Sequence, residues 1–390
     1  MENASIVFTL FLIFAGAALA ATLALWLRQT LIIAYIAVGL LIGPSGLALI
    51  QDPTLIQNIA NVGIIFLLFL LGLNLNPADL IRMAGETTLV TGISSLVLLG
   101  LGYGFGIALG YDATASLLLG SALMFSSTII GLKLIPTTVL HHQHTGEIMI
   151  SVLLFQDIIA IILLLVLEAS SQAGEASLWR MLGPFLGLPL LALGTWLIER
   201  HLLNRLIARF DRIQEYIFLL AIGWCLGVAE AAEWMGLSYE IGAFIAGVAL
   251  ARSPIALFIA ENLKPLRDFF LIIFFVALGA NFDLAVVQQI WLAAVGLALL
   301  ALLAKPLLYH LLLRLSKESS GRSLEVAVRL GQMSEFSLLI AVLAAQMGVI
   351  RDEVNFLIQF ATLISFLLSS TYVVMTYPTP IAVSDRLRRD

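Results

Sequence analysis

Apolar segments of about 20 residues follow one another along almost the whole chain, separated by short stretches rich in charged residues, glycine, proline and asparagine. A segment of this length spans the hydrocarbon layer of a bilayer when it folds as an α-helix. Of the 390 residues 61% are hydrophobic and 12% are charged, whereas soluble domains average roughly 45–50% and about 25%. The sequence therefore predicts an all-α polytopic membrane protein with no room for a soluble catalytic or nucleic-acid-binding domain.

The breaks between apolar segments predict thirteen transmembrane spans. These spans cover about 5–27, 30–49, 56–75, 86–110, 114–136, 146–168, 179–199, 214–232, 237–252, 262–280, 284–313, 322–347 and 353–376. The stretch from Ala256 to Arg267 is interpreted as an inner loop. Glu2 is the only charge before Arg28, so the first segment is predicted to be a span and not a cleaved signal.

Basic residues cluster on one predicted side of the membrane. With the N-terminus outside, the inner loops and the tail carry Arg28, Arg82, Lys133, Arg200, Arg205, Arg209, Arg212, Arg252, Lys264, Arg267, Arg314, Lys317, Arg322, Arg386, Arg388 and Arg389. Only Arg180 and Arg351 fall in outer loops. Because cytoplasmic loops are enriched in Lys and Arg, we expect an N-out, C-in orientation.

Two short motifs recur about 208 residues apart. The sequence from Ala34 to Ala37 resembles that from Ala243 to Ala246, and the sequence Leu71 to Asn74 resembles Leu278 to Asn281. The copies lie seven spans apart and so run in opposite directions, which predicts inverted six-helix repeats with the seventh span as a linker. Inverted repeats are typical of secondary transporters, whose ion sites lie near the midplane where helices break.

Asp157 lies in the middle of the sixth predicted span and is preceded by Gln156. Ionisable side chains at membrane depth are costly and therefore indicate function. A carboxylate removed from water holds either a proton or a dehydrated monovalent cation, which predicts exchange of one cation for one proton without net charge movement. We expect K⁺ or Na⁺ at Asp157 and an added oxygen ligand from Gln156. The alternatives are a permanent ion pair for Asp157 and helix packing for Gln156.

Polar residues interrupt the fifth and twelfth spans at corresponding positions of the two repeats. The first interruption contains Ser126, Ser127 and Thr128, and the second contains Gln332, Ser334 and Glu335. Unwound backbone is tolerated at membrane depth where it faces protein or a cavity, so oxygen atoms of these segments are candidate cation ligands. The alternative is hydrogen bonding of the hydroxyls within intact helices.

Two further basic residues lie inside predicted spans. Lys305 precedes Pro306 and is a candidate counter-ion to a site carboxylate or to the carbonyl ends of helices, with snorkelling to the membrane interface as the alternative. Arg329 lies six residues before Glu335, which does not place the pair on one helical face unless the helix breaks between them. We interpret Arg329 and Glu335 as structural.

Other side chains carry weaker signals. A cluster of His141, His142 and His144 in an inner loop is interpreted as solvated, and Cys225 as a buried apolar residue. The net charge of −5 comes without a basic stripe, so nucleic acid is not an expected partner. The sequence contains no phosphate loop, zinc-binding helix or nucleophile elbow, and we expect neither an enzyme nor a bound cofactor.

Several motifs resemble the second family of monovalent cation:proton antiporters, and within it the glutathione-gated potassium-efflux (Kef-type) branch. They comprise Ser151 to Asp157, Phe125 to Thr128, Gly242 to Gly247, Phe274 and Phe275 with Gly279 and Asp283, Lys305, and Gly331 and Gln332 with Ser334 to Phe336. The resemblance implies a thirteen-helix homodimer in which the fifth and twelfth spans are crossed, broken helices. It implies that Asp157 binds the ion, that Gln156 replaces the first acid of two-aspartate sodium antiporters, and that Lys305 is the core lysine.

The resemblance also implies a division of the membrane domain, residues 1–376. Residues 1–75 and 214–280 would form the dimerisation part, residues 86–168 and 284–376 the ion-transporting core, and residues 179–199 a linker helix. Residues 377–390 would be a short cytoplasmic tail. Kef-type proteins usually carry Gly-Leu-Glu-Leu where this chain has Gly72 to Leu75, and they continue into a nucleotide-binding regulatory domain. A separate cytoplasmic regulatory subunit is therefore a candidate partner, together with membrane lipid.

These observations predict an antiporter of a bacterial-type inner membrane that exchanges K⁺ or Na⁺ for H⁺ by alternating access. A gated K⁺ efflux channel is the main alternative, and turnover-limited flux distinguishes the two. An intramembrane hydrolase lacks visible paired aspartates or a Ser/His couple, and a sodium-coupled symporter would require an organic substrate.

Overall fold

The computed structural model describes residues 6–27, 29–50, 54–74, 86–135, 144–171, 178–210, 213–251, 253 and 255–379. Several sequence predictions lie outside these ranges, namely those for Arg28, Arg82, His141, His142, Arg212, Arg252, Arg386, Arg388 and Arg389 and most of the predicted tail. The described chain is helical, which confirms the predicted all-α class.

The helices follow the predicted segments closely. They are α1 (Ile6–Trp26), α2 (Leu31–Ile42), α3 (Thr54–Asn74), α4 (Glu86–Ala108), α5 (Ala113–Met124), α6 (Thr128–Lys133), α7 (His144–Ser171), α8 (Leu178–Ile198), α9 (Asn204–Phe210), α10 (Gln214–Trp234), α11 (Tyr239–Leu250), α12 (Ala256–Ala280), α13 (Leu284–Leu315), α14 (Ser320–Arg329), α15 (Glu335–Gln346) and α16 (Asp352–Thr376). A π-helical turn, Glu199–Leu203, joins α8 to α9.

Helix length and hydropathy identify a multi-pass membrane protein. Among the described residues, seven helices are long and apolar enough to cross a bilayer, and α2, α5, α11 and α15 are shorter apolar helices. Of the short helices, α5 and α15 are parts of split spans, α2 stops early, and α11 covers most of the predicted ninth span, so length alone does not count the spans. The total of thirteen spans and the N-out orientation stay predictions.

Two predicted boundaries are wrong. The second span was expected to reach residue 49, but α2 ends at Ile42 with Gly43 as its C-cap. Proline at position 44 has no N–H group, and the chain folds back there, with the Ile50 N–H donating to the Ile42 carbonyl. The expected inner loop from Ala256 to Arg267 is the first part of α12, because Pro265 is accommodated inside that helix.

The helices pack as two groups. The panel group consists of α1, α2, α3, α8, α10, α11 and α12, and the core group consists of α4, α5, α6, α7, α13, α14, α15 and α16. Helices contact mainly members of their own group, and α2 meets α16 where the groups adjoin. The interface between the groups is therefore a place where cavities can form between two separately packed units.

The recurring motifs cross each other inside the panel group. Helix α2 packs on α12, and α3 packs on α11. A side chain at Gly72 would overlap the backbone of Phe244, and one at Gly279 would overlap the backbone of Ile36. Gly72 and Gly279 occupy equivalent positions in the two copies of one motif. Each glycine contacts the other motif, in the copy that belongs to the opposite repeat. The small residue is required at both positions because the two backbones touch.

Candidate functional site

Both polar interruptions are breaks between helices. Helix α5 ends at Met124 and α6 begins at Thr128, with Phe125 in extended conformation between them. Helix α14 ends at Arg329 and α15 begins at Glu335. The break explains how Arg329 and Glu335 are separated despite lying in one predicted span.

Side chains hold the two breaks against each other. The Ser126 hydroxyl donates to the Leu330 carbonyl at 2.8 Å, which connects the extended segments directly. The Ser337 hydroxyl donates to the Ala122 carbonyl in α5 at 2.7 Å. Backbone groups freed by unwinding must find partners away from water, and these serines supply them.

Lys305 contacts a backbone carbonyl in each of the two breaks. Its Nζ donates to the Phe125 carbonyl at 2.6 Å and to the Gln332 carbonyl at 2.7 Å. The side chain is 0% exposed, so it does not reach a membrane interface by snorkelling. Phe125 caps the C-terminal end of α5, whose partial negative charge favours a basic group there, and Gln332 lies in the extended stretch between α14 and α15.

Gln156 spans the first break. Its Nε2 donates to the Met124 carbonyl at 3.0 Å and to the Tyr309 hydroxyl oxygen at 2.6 Å. Its Oε1 accepts a hydrogen bond from the Ser126 N–H at 2.9 Å. These contacts fix the geometry of the break next to Asp157. Ion binding by Gln156 stays a prediction, and it would have to use the second lone pair of Oε1.

Asp157 is 4% exposed and lies on α7, inside the core group. Glu335, the first residue of α15, is close enough to interact with it electrostatically. Glu335 is also buried, at 7% exposure. Two acids therefore share one low-dielectric region, a charge arrangement that favours uptake of a proton or a cation.

The remaining predicted ligands divide by their contacts. The Ser127 hydroxyl accepts from the Ile130 N–H at 3.0 Å and so caps α6. The Ser334 hydroxyl accepts from the Phe336 N–H at 3.1 Å and caps α15. Within the described part of the chain, the buried Oγ1 of Thr128 has no hydrogen-bond partner, which leaves its lone pairs available to an ion.

Gln332 belongs to the framework of the second break. Its Oε1 accepts from the Ser369 hydroxyl at 3.1 Å, and its Nε2 lies 3.5 Å from the Ser127 carbonyl oxygen. Its own carbonyl oxygen is one of the two that contact Lys305. Gln332 therefore joins α16, the first break and the core lysine.

Arg329 joins three parts of the core group. Its Nη1 donates to the Leu134 carbonyl at 2.8 Å, and its Nη2 donates to the Pro378 carbonyl at 2.9 Å. Its Nε donates to Glu325 at 3.0 Å. With 1% exposure, the side chain is buried among these partners. These contacts connect parts of the core group, and the structural role of Arg329 stays a prediction. Glu335 interacts electrostatically with Asp157.

Two cavities lie at opposite ends of the interface between the groups. The Tyr35 cavity, of about 370 Å³, is lined by Gln29, Tyr35 and Asp268 among other residues. The Gln359 cavity, of about 400 Å³, is lined by Asn281, Asp352 and Gln359 among others.

A pair of aromatic residues separates the two cavities. Phe275 lines the Tyr35 cavity and Phe274 lines the Gln359 cavity. Both rings border a small pocket of about 20 Å³ that also contains Glu335. The two phenylalanines therefore lie between the cavities and next to the acidic region.

Sequence reasoning missed Tyr309, which contacts Gln156, and Gln359, which lines a cavity. Tyr309 lies four residues after Lys305, which places both on one helical face, and this spacing could have identified it. The second polar interruption continues to Ser337, which follows the capping residue Ser334 by three positions, a recognisable N-terminal pattern. Gln359 carried no such signal, because a lone glutamine in a helix is indistinguishable from a packing residue.

Comparison with known proteins agrees with the fold. Over 349 residues the chain is 30% identical to the glutathione-regulated potassium-efflux system protein of Haemophilus influenzae, covering 87% of this chain and 55% of that protein. Over 356 residues it is 27% identical to the iron transporter MagA of Paramagnetospirillum magneticum, covering 88% and 79%. The chain thus spans little more than half the length of the first of these relatives.

A solved structure shows the same fold. The sodium proton antiporter MjNhaP1 from Methanocaldococcus jannaschii superimposes with a TM-score of 0.71 at 21% identity, covering 95% of this chain and 97% of that one. Residues 12–377 match the family described as sodium/hydrogen exchanger, transmembrane. The resemblance inferred from the sequence motifs is confirmed, and the chain belongs to the transmembrane sodium/hydrogen exchanger family.

Proposed function

We propose that the chain exchanges a monovalent cation for a proton by alternating access, with Asp157 carrying both ions in turn. The observation that carries this proposal is the position of Lys305. Its amino group donates to one backbone carbonyl in each break, so these two carbonyls already have a partner. The buried carboxylate of Asp157 is then the group whose charge a proton or a cation can balance.

Potassium is the cation that we favour. The potassium-efflux protein of Haemophilus influenzae is a relative over most of this chain. The first break offers neutral oxygens such as the Thr128 Oγ1, which can replace part of the hydration shell of an alkali cation. A second relative is named an iron transporter, and iron is therefore a comparison ion in the experiment below. Sodium is the other monovalent candidate.

Electroneutral exchange follows from the single carrier. With one carboxylate that is either protonated or cation-bound, the loaded site has the same charge in both directions. Glu335 is part of the same acidic region, so its charge must stay constant through the cycle for the exchange to be electroneutral.

The two cavities support alternating access over a channel. They lie on either side of Phe274 and Phe275, and each extends along the interface between panel and core groups. Movement of the core group against the panel group would open the acidic region to one cavity and close it to the other. A channel would require both cavities to connect through the aromatic pair at once.

The assembly and location belong to the same proposal. We propose a homodimer in the inner membrane of a bacterium, with the panel group at the dimer interface, as the family resemblance implies. A separate cytoplasmic subunit that regulates exchange is part of the same proposal.

The test is cation-driven proton movement in proteoliposomes with an imposed pH gradient. We expect K⁺ to dissipate the gradient with saturable kinetics, more effectively than Na⁺ or Fe²⁺. We expect Asp157→Asn to abolish exchange. Asp283→Asn is the matched control, since Asp283 only caps α13 and asparagine caps equally well.

Electrical controls separate the alternatives. A membrane potential set with a lipophilic cation should leave the rate of exchange unchanged. Exchange that persists in Asp157→Asn would contradict the assignment of the carrier. Flux that follows the potential, without saturation or proton coupling, would favour the channel.

A further inference from the structure

Polar side chains make up about half of the lining of the Gln359 cavity. It is bordered by α3 and α12 of the panel group and by α15 and α16 of the core group. Its polar lining residues are Gln57, Asn281, Gln346, Asp352, Asn355 and Gln359. Five of these six side chains are neutral carboxamides, and the sixth is a carboxylate.

Three of the lining residues form a ladder along one face of α16. Asp352, Asn355 and Gln359 are spaced at i, i+3 and i+7, so their side chains share one helical face. Over this spacing the ladder rises by about 10 Å. Neighbouring Glu353 accepts a hydrogen bond from the Tyr111 hydroxyl instead. The ladder leads from the carboxylate at the start of α16 towards Phe274.

Gln359 ends the ladder with an unused acceptor. The side chain is 3% exposed, and its Nε2 donates to the Asn355 Oδ1 at 2.7 Å. Its Oε1 is buried and has no hydrogen-bond partner within the described residues. A buried amide oxygen without a partner is costly, and such an atom in the wall of a cavity indicates a ligand that supplies positive charge or a donor.

On the opposite wall of the cavity, the amide nitrogens of Asn281 and Gln57 already donate hydrogen bonds within the protein. The Asn281 Nδ2 donates to the Gln57 Oε1 at 3.0 Å and to the Ala277 carbonyl at 2.9 Å. The Gln57 Nε2 donates to the Asn61 Oδ1 at 3.1 Å. With these donors used, the oxygen of Asn281 is the polar atom of that side chain that is left for a ligand.

We propose that the Gln359 cavity binds a partly dehydrated monovalent cation, with the Gln359 Oε1 as its innermost ligand and Asp352 as the charge at its entrance. Amide and carboxylate oxygens are the ligands of alkali cations, and neutral amides hold them weakly enough to release them. The site rests on the proposed function in that the cation is the transported one. It lies on the far side of Phe274 from the Tyr35 cavity and is distinct from Asp157.

Such a site sets the cation affinity on one side of the protein. A cation at Gln359 has already exchanged part of its water for amide oxygens before it reaches the acidic region. The apparent affinity for cations entering from the Gln359 cavity would then depend on Gln359, while the maximal rate and proton coupling would depend on Asp157.

Binding is tested with purified protein carrying Asp157→Asn, which removes the carrier. Thermal unfolding is measured in K⁺ or Rb⁺ against choline at equal ionic strength. We expect the alkali cation to raise the midpoint by about 2–4 °C, and we expect adding Gln359→Leu to remove that shift. A midpoint that is the same in K⁺ and choline, or a shift that survives Gln359→Leu, overturns the proposal.

Two substitutions of opposite expected sign distinguish binding from structural damage. In exchange assays with the wild-type carrier, Gln359→Leu should raise the half-saturating K⁺ concentration about tenfold. Gln359→Glu keeps the oxygens, adds negative charge and should lower it. Gln288→Leu makes the same change on an exposed surface of α13 and should have no effect. If both Gln359 variants weaken cation affinity, or neither changes it, the proposal is wrong.

The outcomes separate this site from the proposed function. Cation-dependent stabilisation that requires Gln359, in a protein that exchanges no protons, would retain the cavity site and reject the antiporter. Exchange that requires Asp157 but is indifferent to Gln359 would retain the antiporter and reject the cavity site. If Gln359→Leu fails to fold, Gln359→Glu decides, because a purely structural role predicts no gain in affinity.

Discussion

The panel group and the core group each contain a crossing of repeat-related helices, but different contacts hold the two crossings together. In the panel group intact helices pass with their backbones in contact at glycines such as Gly72 and Gly279. In the core group the helices stop, and extended segments meet through hydrogen bonds such as that from Ser126 to Leu330. Two segments can therefore cross at membrane depth in two ways. Glycines allow the backbones of intact helices to touch, or the helices end and their free backbone groups form hydrogen bonds.

The chemical consequence differs between the two crossings. A crossing of intact helices satisfies its backbone internally and offers nothing to an ion. A crossing of broken helices leaves carbonyl and N–H groups that need partners, and Lys305, Gln156 and the serines supply them. Asp157 lies next to this second kind of crossing. The panel group therefore provides close helix packing, and the core group provides the polar groups that can act on an ion.

The largest expected effect comes from removing the charge that the core crossing requires. Lys305→Met deprives the Phe125 and Gln332 carbonyls of their shared donor. We expect a loss of roughly 3–5 kcal/mol in unfolding free energy, because charged hydrogen bonds to buried groups disappear. Thermal unfolding in detergent measures it. Lys264→Met, at an exposed position of α12, is the control, and equal midpoints for the two variants would contradict the role of Lys305.

The panel crossing is broken by adding a side chain. In Gly247→Val the new side chain would overlap the backbone of Phe69 and Gly72. Overpacking of this kind costs roughly 1–3 kcal/mol, and we expect a lower unfolding midpoint and a lower yield of folded protein. Gly223→Val in α10 is the matched control, since among the described residues no atom outside the adjacent turns of α10 lies within 4 Å of a Cβ at that position. Similar losses for both variants would show that close backbone contact is unimportant.

A smaller effect is expected from one bond between the breaks. Ser126→Ala removes the hydroxyl that donates to Leu330, at a cost of about 1 kcal/mol. Ser121→Ala removes a hydroxyl that donates to the Leu117 carbonyl in its own helix, at the same 2.8 Å distance. Chemical or thermal unfolding should show the greater loss for Ser126→Ala. The reverse order would mean that the breaks do not depend on the bond between them.

The smallest effect concerns a polar contact at the surface of the core group. Glu318 accepts from the Arg322 Nη1 at 2.7 Å and lies 2.9 Å from the His144 Nε2. Partial burial raises the pKa of Glu318, but hydrogen bonds from Arg322 and His144 outweigh it and hold the pKa below its usual value. Because the pKa of Glu318 is lower in the folded state, its ionised form stabilises the fold above the unfolded pKa of about 4.3. This stabilisation is lost as the pH falls through the folded pKa.

Comparison of wild type with Glu318→Gln checks the sign. We expect wild type to be more stable by roughly 0.2–1 kcal/mol at pH 6, because exposed partners screen the interaction. The two proteins should converge as the pH falls to about 3. A difference that increases below pH 4 would contradict the depressed pKa.

Hydropathy alone could predict most of the helices and the location of the site. Span lengths follow from membrane thickness, and Asp157 is conspicuous because a carboxylate in an apolar run is costly. The interruptions at Ser126 and Ser334 were visible for the same reason. These predictions depend only on the residue type and its neighbours in the sequence.

What the sequence could not provide are contacts between distant segments. The three hydrogen bonds of Gln156 involve α5, the first break and α13, so its clamping of the break was hidden. Charged residues around Arg267 suggested a loop, whereas they lie within the first half of helix α12. The Oε1 of Gln359 can be interpreted as a ligand only when the residues on the opposite wall of its cavity are known.

The most direct test of the central claim is the number of protons released when purified protein binds potassium. A pH indicator in weakly buffered detergent solution reports this number. If Asp157 holds either ion in turn, wild type that is protonated at the starting pH should release about one proton per chain at saturating K⁺, and Asp157→Asn should release none. Potassium binding by wild type without proton release, or release that persists in Asp157→Asn, would contradict a shared carrier at Asp157.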